Sequence, residues 1–266
     1  MPAAPACNIE AVIAATREVG DMAMARWRGE GQAIDVWHKS HDNPVSDVDL
    51  AVDARLKAVL GAMVPEAGWL SEETADNSDR LSRRAMWCVD PIDGTRDFIR
   101  GRPGWAVSVA LVVDGAPEIG ILYAPALDEL WVAQQGKGAT LNGDALRASR
   151  RMIFSGSRVP ADSLPKIDRD LIMVTKPNSI ALRMALVADD RADLVATLRW
   201  GFEWDVAAAA LIATEAGATV TDAFGEPLAF NTPGAQAFGV IACAPGIHGA
   251  VVGRLHDRAV ALTATG

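Results

Sequence analysis

The residues best suited to chemistry in this sequence are two aspartates that stand three positions apart after an apolar segment. Residues 87–95 read Trp-Cys-Val-Asp-Pro-Ile-Asp-Gly-Thr, with the aspartates at Asp90 and Asp93. Hard divalent cations such as Mg²⁺ bind carboxylate and carbonyl oxygens, and two carboxylates this close can bridge a pair of ions. The N–H groups of Gly94 and Thr95, where a helical turn could begin, would suit a phosphate. The alternative is an ordinary strand-to-turn transition, because Asp, Pro and Gly all favour turns.

A second acidic pair, Glu72 and Glu73, also follows a short apolar segment. Such a pair could supply a further metal ligand or a general base. Paired acids are equally common on solvated surfaces, where they have no such role. The pair alone does not decide between these interpretations.

Asp49 lies on the apolar side of a helix that the pattern predicts over residues 46–63. At 100° per residue, its side chain points within about 40° of the mean direction of the apolar stripe, whereas Asp47 points nearly the opposite way. A buried carboxylate needs a reason, and Ser46 offers one, because Ser-x-x-Asp is the form of a capping box. A helix cap and a functional carboxylate both fit this position.

Asp205 stands before an alanine-rich segment, residues 206–216, that is apolar nearly all round and ends at Gly217. The pattern predicts a buried helix with Asp205 as its N-cap. Asp205 would also serve as a metal ligand if other acids converge on it. The local sequence does not separate the two roles.

The elements that must position these residues alternate between helices and strands. Helical spacing predicts helices over residues 8–28, 46–63, 179–188 and 205–216, and apolar runs predict strands over 68–73, 85–89, 106–113, 118–123, 129–133 and 218–222. The pairs Asp114-Gly115 and Asn142-Gly143 are turn signals, and residues 39–44 read as a loop. A boundary near Arg150 divides the chain into two halves, 1–150 with most of the acidic candidates and 151–266 with Asp205.

The composition limits the partners and the location that can be expected. Among 266 residues, 34 are acidic and 25 basic, for a net charge of −9. Such a surface repels nucleic acids and anionic membranes, so neither is expected as a partner. No apolar run is long enough for a membrane span, the first residues lack a secretory signal, and the 3 cysteines fit no disulfide or zinc pattern. A cytoplasmic location is therefore expected.

Several other kinds of site are excluded by their spacing. A calcium loop starting at Asp47 would need Gly and Glu where Val52 and Ala58 stand. The residues before Asp47 are not the apolar strand that an aspartyl-phosphate nucleophile would follow. The histidines have no metal-ligand spacing, and no Gly-x-Ser-x-Gly motif supports a serine hydrolase.

Together, the motifs resemble the inositol monophosphatase superfamily, which includes the 3′(2′),5′-bisphosphate nucleotidases. The resemblance spans residues 39–245 and rests on Pro-Val-Ser-x-x-Asp at 44–49, Ser-Glu-Glu at 71–73, the motif at 87–95, and Trp-Asp-x-Ala-Ala at 204–208. It implies a layered α-β-α-β-α fold, with the site between the two halves, and a Mg²⁺-dependent phosphomonoesterase. Inhibition by lithium and a homodimeric assembly are further traits that the resemblance implies.

The resemblance also implies the metal ligands. Glu73, Asp90 and the carbonyl of Ile92 would hold one Mg²⁺, and Asp90, Asp93 and Asp205 a second, with room for a third ion in the family pattern. The four carboxylates contribute −4 and two Mg²⁺ contribute +4, so the filled site is near neutral. Bound cations would thus allow an acidic protein to recognise a phosphate.

Catalytic and substrate-binding roles follow from the same resemblance. The substrate would contact four residues: Asp93, Gly94, Thr95 and Asp205. The phosphate would be bound by the N–H groups of Gly94 and Thr95. Glu73 and Thr95, the latter oriented by Asp49, would position and activate the attacking water.

The substrate is less closely defined. The run Asp-Gly-Thr-Arg-Asp-Phe-Ile at residues 93–99 resembles the bisphosphate nucleotidase branch, so the first hypothesis is removal of the 3′-phosphate from 3′-phosphoadenosine 5′-phosphate. Inositol-specific members have an acid seven positions before the aspartate of Trp-Asp; here that position is Leu198, which disfavours inositol. An inositol or other polyol phosphatase is the second hypothesis. The third, a non-catalytic relative that binds a partner, is disfavoured because every acidic position is present.

Overall fold

The computed structural model describes residues 7–27, 35–40 and 43–264. The helices are α1 (Ile9–Arg26), α2 (Asp47–Met63), α3 (Thr95–Ile99), α4 (Ile180–Ala188), α5 (Glu203–Glu215) and α6 (His248–Thr263). The strands are β1 (Val36–Ser40), β2 (Asn43–Ser46), β3 (Gly68–Ser71), β4 (Ala85–Asp93), β5 (Ala106–Val113), β6 (Ala116–Ala124), β7 (Glu129–Gln134), β8 (Ala139–Leu141), β9 (Asp144–Ala145), β10 (Arg158–Pro160), β11 (Ile172–Val174), β12 (Leu194–Phe202), β13 (Thr219–Thr221) and β14 (Gln236–Cys243).

The elements stack in five layers. Helices α1 and α2 cover one face of a seven-stranded sheet with the order β3-β4-β5-β6-β7-β8-β9. Helices α4 and α5 cover its other face and separate it from a three-stranded sheet, β12-β14-β13, whose far side is covered by α6. The predicted α-β-α-β-α arrangement is confirmed. Two short sheets, β1-β2 and β10-β11, complete the described topology.

Strands β4 and β5 are interior strands of the large sheet, with a neighbouring strand on each side. Every residue of both strands is buried, as expected for continuous apolar runs between two helical layers. β4 runs parallel to β3 and antiparallel to β5. The sheet thus delivers the end of β4 into the protein interior.

Helix α5 packs unusually close to the large sheet because small residues meet at the contact. A Cβ added to Gly120 of β6 would lie only 2.7 Å from the carbonyl oxygen of Ala208. The alanines of α5 keep its surface narrow, so backbone can approach backbone. This contact fixes the helix that begins two residues before Asp205.

Some predicted elements need correction. Residues 39–44, predicted as a loop, belong to strands β1 and β2 where they are described, and residues 41–42 lie outside the described chain. β12, β14 and α6 were not predicted. In β12 a pairing irregularity between Thr197 and Trp200 interrupts the alternation of apolar and polar residues on which strand prediction depends.

The boundary near Arg150 falls between β9 and β10. The hydrophobic core nevertheless crosses it, because residues of α4 and α5 pack with residues of β3 to β8. The two halves remain a prediction about organisation. Within the described chain, none of the helices is both long and apolar enough for a bilayer crossing.

Candidate metal centre

Three carboxylates from the two halves of the chain meet in the structure. Asp90, Asp93 and Asp205 each place an oxygen so that all three lie within 4.8 Å of one another. In a regular strand, residues three apart face opposite ways. The pairing of β4 with β5 is irregular between Asp90 and Asp93, which allows both side chains to reach the same site.

Asp93 is held by the first turn of α4. Its Oδ2 accepts hydrogen bonds from the hydroxyl of Ser179 at 2.5 Å and from the N–H of Ala181 at 2.8 Å. Ser179 is also the N-cap of α4, accepting from the N–H of Leu182 at 2.9 Å. Asp93 therefore has a fixed position before any ligand binds.

Asp205 has a different place in its helix from the one predicted. The N-cap of α5 is Phe202, and Asp205 lies in the first turn, where its Oδ2 accepts a hydrogen bond from the N–H of Phe202 at 3.1 Å. The prediction of Asp205 as N-cap was wrong by three residues. The side chain of Asp205 both supports the start of α5 and belongs to the carboxylate cluster.

The charges of the cluster are poorly compensated by the protein itself. Burial, and then the nearby Glu72, Asp93 and Asp205, raise the pKa of Asp90 well above its usual range. Burial and the charge of Asp93 raise the pKa of Asp205 to about 7. Two buried carboxylates, together with the partly buried Asp205, offer only oxygen atoms and match the preference of a hard divalent cation such as Mg²⁺. The donor set thus fits the metal that the resemblance implied.

Asp49 links the start of α2 to the residue that follows the cluster. Its Oδ2 accepts from the N–H of Ser46 at 2.9 Å, which completes the predicted capping box. Its Oδ1 lies 3.3 Å from the hydroxyl of Thr95, which also lies 3.0 Å from the carbonyl oxygen of Ile92. A hydroxyl has one hydrogen, so Thr95 donates to one of these two acceptors at a time. Asp49 therefore completes the capping box of α2 through one oxygen and contacts Thr95 through the other.

Gly94 occupies a position that only glycine can take. Its φ is +96°, and a Cβ there would lie 2.6 Å from the carbonyl oxygen of Gly104. Both constraints favour glycine, which alone adopts this conformation without steric cost. Helix α3 begins immediately after it at Thr95, as the sequence predicted.

A cavity of about 630 Å³ contains the cluster, and it distinguishes the two glutamates of the acidic pair. Glu72 lines this cavity, here called the carboxylate cavity, together with Asp90, Asp93 and Asp205, whereas Glu73 does not. The sequence held a signal for this difference. Leu70 packs in the core on the α5 side of the sheet, and residues two apart share a face, so Glu72 rather than Glu73 points toward Asp205.

Asp53 was not singled out from the sequence, yet it fixes the turn that carries Glu72. Its two oxygens accept hydrogen bonds from the hydroxyls of Ser71 at 2.5 Å and Thr74 at 2.6 Å. These donors flank the acidic pair on both sides. Only the fold reveals this contact, because Asp53 lies on α2, 18 residues before Ser71.

Basic and aromatic side chains also line the carboxylate cavity. Among them are Lys176, Arg183, Arg199, Trp200 and Phe202. The composition gives the chain's net negative charge, but it does not reveal that basic side chains gather in this cavity. The cavity therefore joins an acidic cluster to a basic, aromatic region.

Leu198 does not lie in the carboxylate cavity. It packs against the hydrophobic cluster between β12 and α6, which includes Ile241 and Val251. Its neighbour Arg199 lines the cavity instead, where the pairing of β12 with β14 is irregular. The sequence argument that used Leu198 against an inositol substrate therefore addressed the wrong residue.

Glu203 has a structural role. It is buried, and its carboxylate accepts hydrogen bonds from the N–H groups of Asn231 at 2.6 Å and Thr232 at 2.8 Å, and from the Thr232 hydroxyl at 2.6 Å. The sequence leaves open whether Glu203 contacts substrate or lies exposed on the surface, and the structure buries it. Glu203 thus anchors the start of α5 to a neighbouring loop.

Comparison with known proteins agrees with the fold and the motifs. The model of the inositol monophosphatase family matches residues 5–258. Inositol monophosphatase 2 of Solanum lycopersicum is 30% identical over 235 residues, covering 82% of this chain and 88% of the relative. Histidinol-phosphatase of Mycobacterium tuberculosis is 34% identical over 194 residues, covering 67% and 74% respectively. A solved IMPase structure from Thermotoga maritima superposes with a TM-score of 0.81 at 26% identity, covering 94% of this chain and 96% of the other.

Proposed function

Because this chain belongs to the inositol monophosphatase family and is a metal-dependent phosphoric monoester hydrolase, we propose that it removes the 3′-phosphate from 3′-phosphoadenosine 5′-phosphate. The observation that carries this proposal is the carboxylate cavity, in which an acidic cluster adjoins cationic and aromatic side chains. The carboxylate cluster suits the metal ions. The cationic and aromatic side chains suit a substrate that carries negative charge and an aromatic ring.

We assign the metal ligands from the positions of the carboxylates. Asp90, Asp93 and Asp205, with Glu72 and the carbonyl oxygen of Ile92, would hold two or three Mg²⁺ ions. Glu72 replaces Glu73 in this assignment because only Glu72 lines the cavity. The bound ions would polarise the phosphoryl oxygens, lower the pKa of a bound water and stabilise the leaving oxygen. The four carboxylates again balance two divalent charges.

The chain's own residues orient the phosphate and the attacking water. We assign the phosphate to the N–H groups of Gly94 and Thr95, between Asp93 and the first turn of α3. The hydroxyl of Thr95 accepts a hydrogen bond from the attacking water while donating its own hydrogen to Asp49, at 3.3 Å. Burial raises the pKa of Asp49 by more than its contacts with Ser46 lower it. The hydrogen bond from the N–H of Ser46 holds this carboxyl group in place.

The substrate assignment draws on the aromatic residues of the cavity. Trp200 is 60% exposed and Phe202 is 40% exposed, although both are large apolar side chains. Phe202 stacks on Trp204 with ring centroids 4.3 Å apart. Exposed aromatic faces beside a phosphate site suit a purine, because every base can stack on them.

Inositol phosphate is the second candidate. It is supported by the names of several relatives, and Leu198 no longer counts against it because that side chain lies elsewhere. A polyol offers hydroxyl groups but neither a second charge nor an aromatic ring. The basic and aromatic lining therefore favours the nucleotide.

The test is a comparison of kcat/KM with Mg²⁺ for four substrates: 3′-phosphoadenosine 5′-phosphate, inositol 1-phosphate, histidinol phosphate and fructose 1,6-bisphosphate. We expect the nucleotide to have the highest value. A higher value for inositol 1-phosphate would replace the first candidate with the second.

Three further properties belong to the same proposal. We expect a cytoplasmic location, inhibition by lithium and a homodimer. Fractionation of the native cell, activity assays with lithium chloride and light scattering of the purified protein would check them in turn.

A further inference from the structure

Two arginines from different elements meet in the carboxylate cavity. Arg183 lies on α4 and Arg199 on β12, and both line the cavity that contains Asp93 and Asp205. Arg183 is fixed in place, since its Nε donates to the carbonyl of Pro177 at 2.8 Å and its Nη2 donates to the carbonyl of Asn178. One guanidinium is therefore preorganised.

Arg199 is exposed, and its charge acts to lower the pKa of Asp205. Within residues 7–27, 35–40 and 43–264, its guanidinium makes no ion pair and no hydrogen bond. Lys176, in the same cavity, differs because it already pairs with Asp162. Arg199 is therefore available to an anion in the cavity that Arg183 also lines.

Arg183 and Arg199 line the same cavity, and their like charges repel each other. Burial lowers the pKa of Arg183, the charge of Asp93 raises it, and the charge of Arg199 lowers it again. An isolated exposed arginine is often only a solvated side chain. Arg183 and Arg199 line one cavity and, within the described residues, neither forms an ion pair. Because the same cavity contains the cluster proposed to bind a phosphoryl group, the two guanidinium groups indicate an anion between them.

We propose that Arg183 and Arg199 bind a second phosphate of the substrate, while the phosphate to be hydrolysed lies at the carboxylate cluster. This inference rests on the proposed function and adds to it the two residues that recognise the second phosphate of the substrate. Arg199 is then a specificity-determining residue. It acts on the choice of substrate and takes no part in bond cleavage.

The test uses two substrates that share the bond to be cleaved. Adenosine 3′,5′-bisphosphate and adenosine 3′-monophosphate differ only in the second phosphate. We expect the wild-type enzyme with Mg²⁺ to prefer the bisphosphate in kcat/KM by about 10- to 100-fold, the range for hydrogen bonds to a charged group. In Arg199→Gln this ratio should fall by at least about tenfold, mainly through a higher KM for the bisphosphate.

Two further variants control for charge and geometry. Arg199→Lys keeps the positive charge but cannot form the bidentate hydrogen bonds of a guanidinium group. Its ratio of kcat/KM for the bisphosphate to kcat/KM for the monophosphate should therefore lie between those of the wild type and Arg199→Gln. Arg147→Gln removes one positive charge from an exposed position outside the carboxylate cavity, and its ratio should equal that of the wild type.

The inference is overturned if the wild-type ratio is near one, or if Arg199→Gln lowers both kcat/KM values equally. A wild-type enzyme active on inositol 1-phosphate but on neither adenosine compound would instead refute the proposed substrate. In that case the same variants are compared on inositol 1,4-bisphosphate and inositol 1-phosphate. A fall in that ratio in Arg199→Gln supports the second-phosphate site, and an unchanged ratio overturns it.

Discussion

The hydroxyl of Ser179 donates a hydrogen bond to Oδ2 of Asp93 across 2.5 Å, although the two residues are 86 positions apart. Asp93 ends β4, and Ser179 is the N-cap of α4. The same carboxylate oxygen accepts from the N–H of Ala181. The end of β4 and the start of α4 in the next layer are thereby joined at the carboxylate cluster, so the fold itself orients the proposed metal ligand.

Removing that hydroxyl should weaken metal binding more than it weakens the fold. In Ser179→Ala, Asp93 loses one of its two donors, and the cap of α4 is lost as well. We expect the Mg²⁺ concentration for half-maximal activity to rise by about 10- to 100-fold, as for other residues that support metal ligands. Loss of the cap should lower the free energy of unfolding by about 1 kcal/mol. Activity titrations with Mg²⁺ and urea unfolding measure the two effects.

Asn8→Ala is the matched control for this substitution. Asn8 caps α1 by accepting from the N–H of Glu10 at 3.0 Å, far along the chain from the cluster. It should lower stability by a similar amount and leave the Mg²⁺ requirement unaltered. If both variants shift the Mg²⁺ requirement equally, Ser179 acts only through stability.

Thr95 should matter to the rate of hydrolysis. Thr95→Val keeps the shape of the side chain but removes the hydroxyl that faces Asp49 and the carbonyl of Ile92. We expect kcat to fall by about 100-fold or more, the usual contribution of a group that directs proton transfer. Thr95→Ser should retain most of the activity. A valine variant with near wild-type kcat would show that the hydroxyl has no part in activating water.

Acid should weaken the fold through Asp193, which lies outside the carboxylate cavity. This buried carboxylate accepts from Ser149 at 2.5 Å and, through both oxygens, from Arg158 at 2.8 to 3.0 Å. Burial alone would raise the pKa of Asp193, but the hydrogen bonds from Arg158 and Ser149 outweigh it and lower the pKa to about 2. The unfolded value is about 3.9.

Because the folded pKa lies below the unfolded one, the stabilisation from Asp193 is complete above about pH 4 and is lost as the pH falls towards 2. Its size is of the order of 2 kcal/mol. In urea unfolding, Asp193→Asn should be less stable than the wild type at pH 7, and the difference should shrink to about half at pH 3. A difference independent of pH would show that the ionised carboxylate is not the stabilising form.

Much of the fold could be predicted because its signals are local. The apolar runs of β5 and β6 are joined at Asp114-Gly115, whose φ angles of 50° and 81° fit the predicted hairpin turn. The capping box at Ser46 likewise marked the start of α2. Such features depend on neighbouring residues alone, so the sequence is enough.

Other positions depend on which face of a strand a side chain occupies. Which of Glu72 and Glu73 lines the cavity required the orientation of β3, and the place of Leu198 required the orientation of β12 near its irregular pairing. A shift of one residue moves a side chain to the opposite face. Ser179 could not be found either, since its contact with Asp93 exists only in the folded protein.

The central claim is that acids from both halves of the chain form one divalent metal centre that hydrolyses a phosphomonoester. Its most direct test is Mg²⁺ binding by calorimetry, measured with phosphate release, on the wild type and Asp205→Asn. We predict that the variant folds, binds Mg²⁺ more than about 100-fold more weakly and loses activity to a similar extent, because a ligand should matter at least as much as its supporting residues. Wild-type Mg²⁺ affinity and activity in a folded Asp205→Asn would contradict the claim.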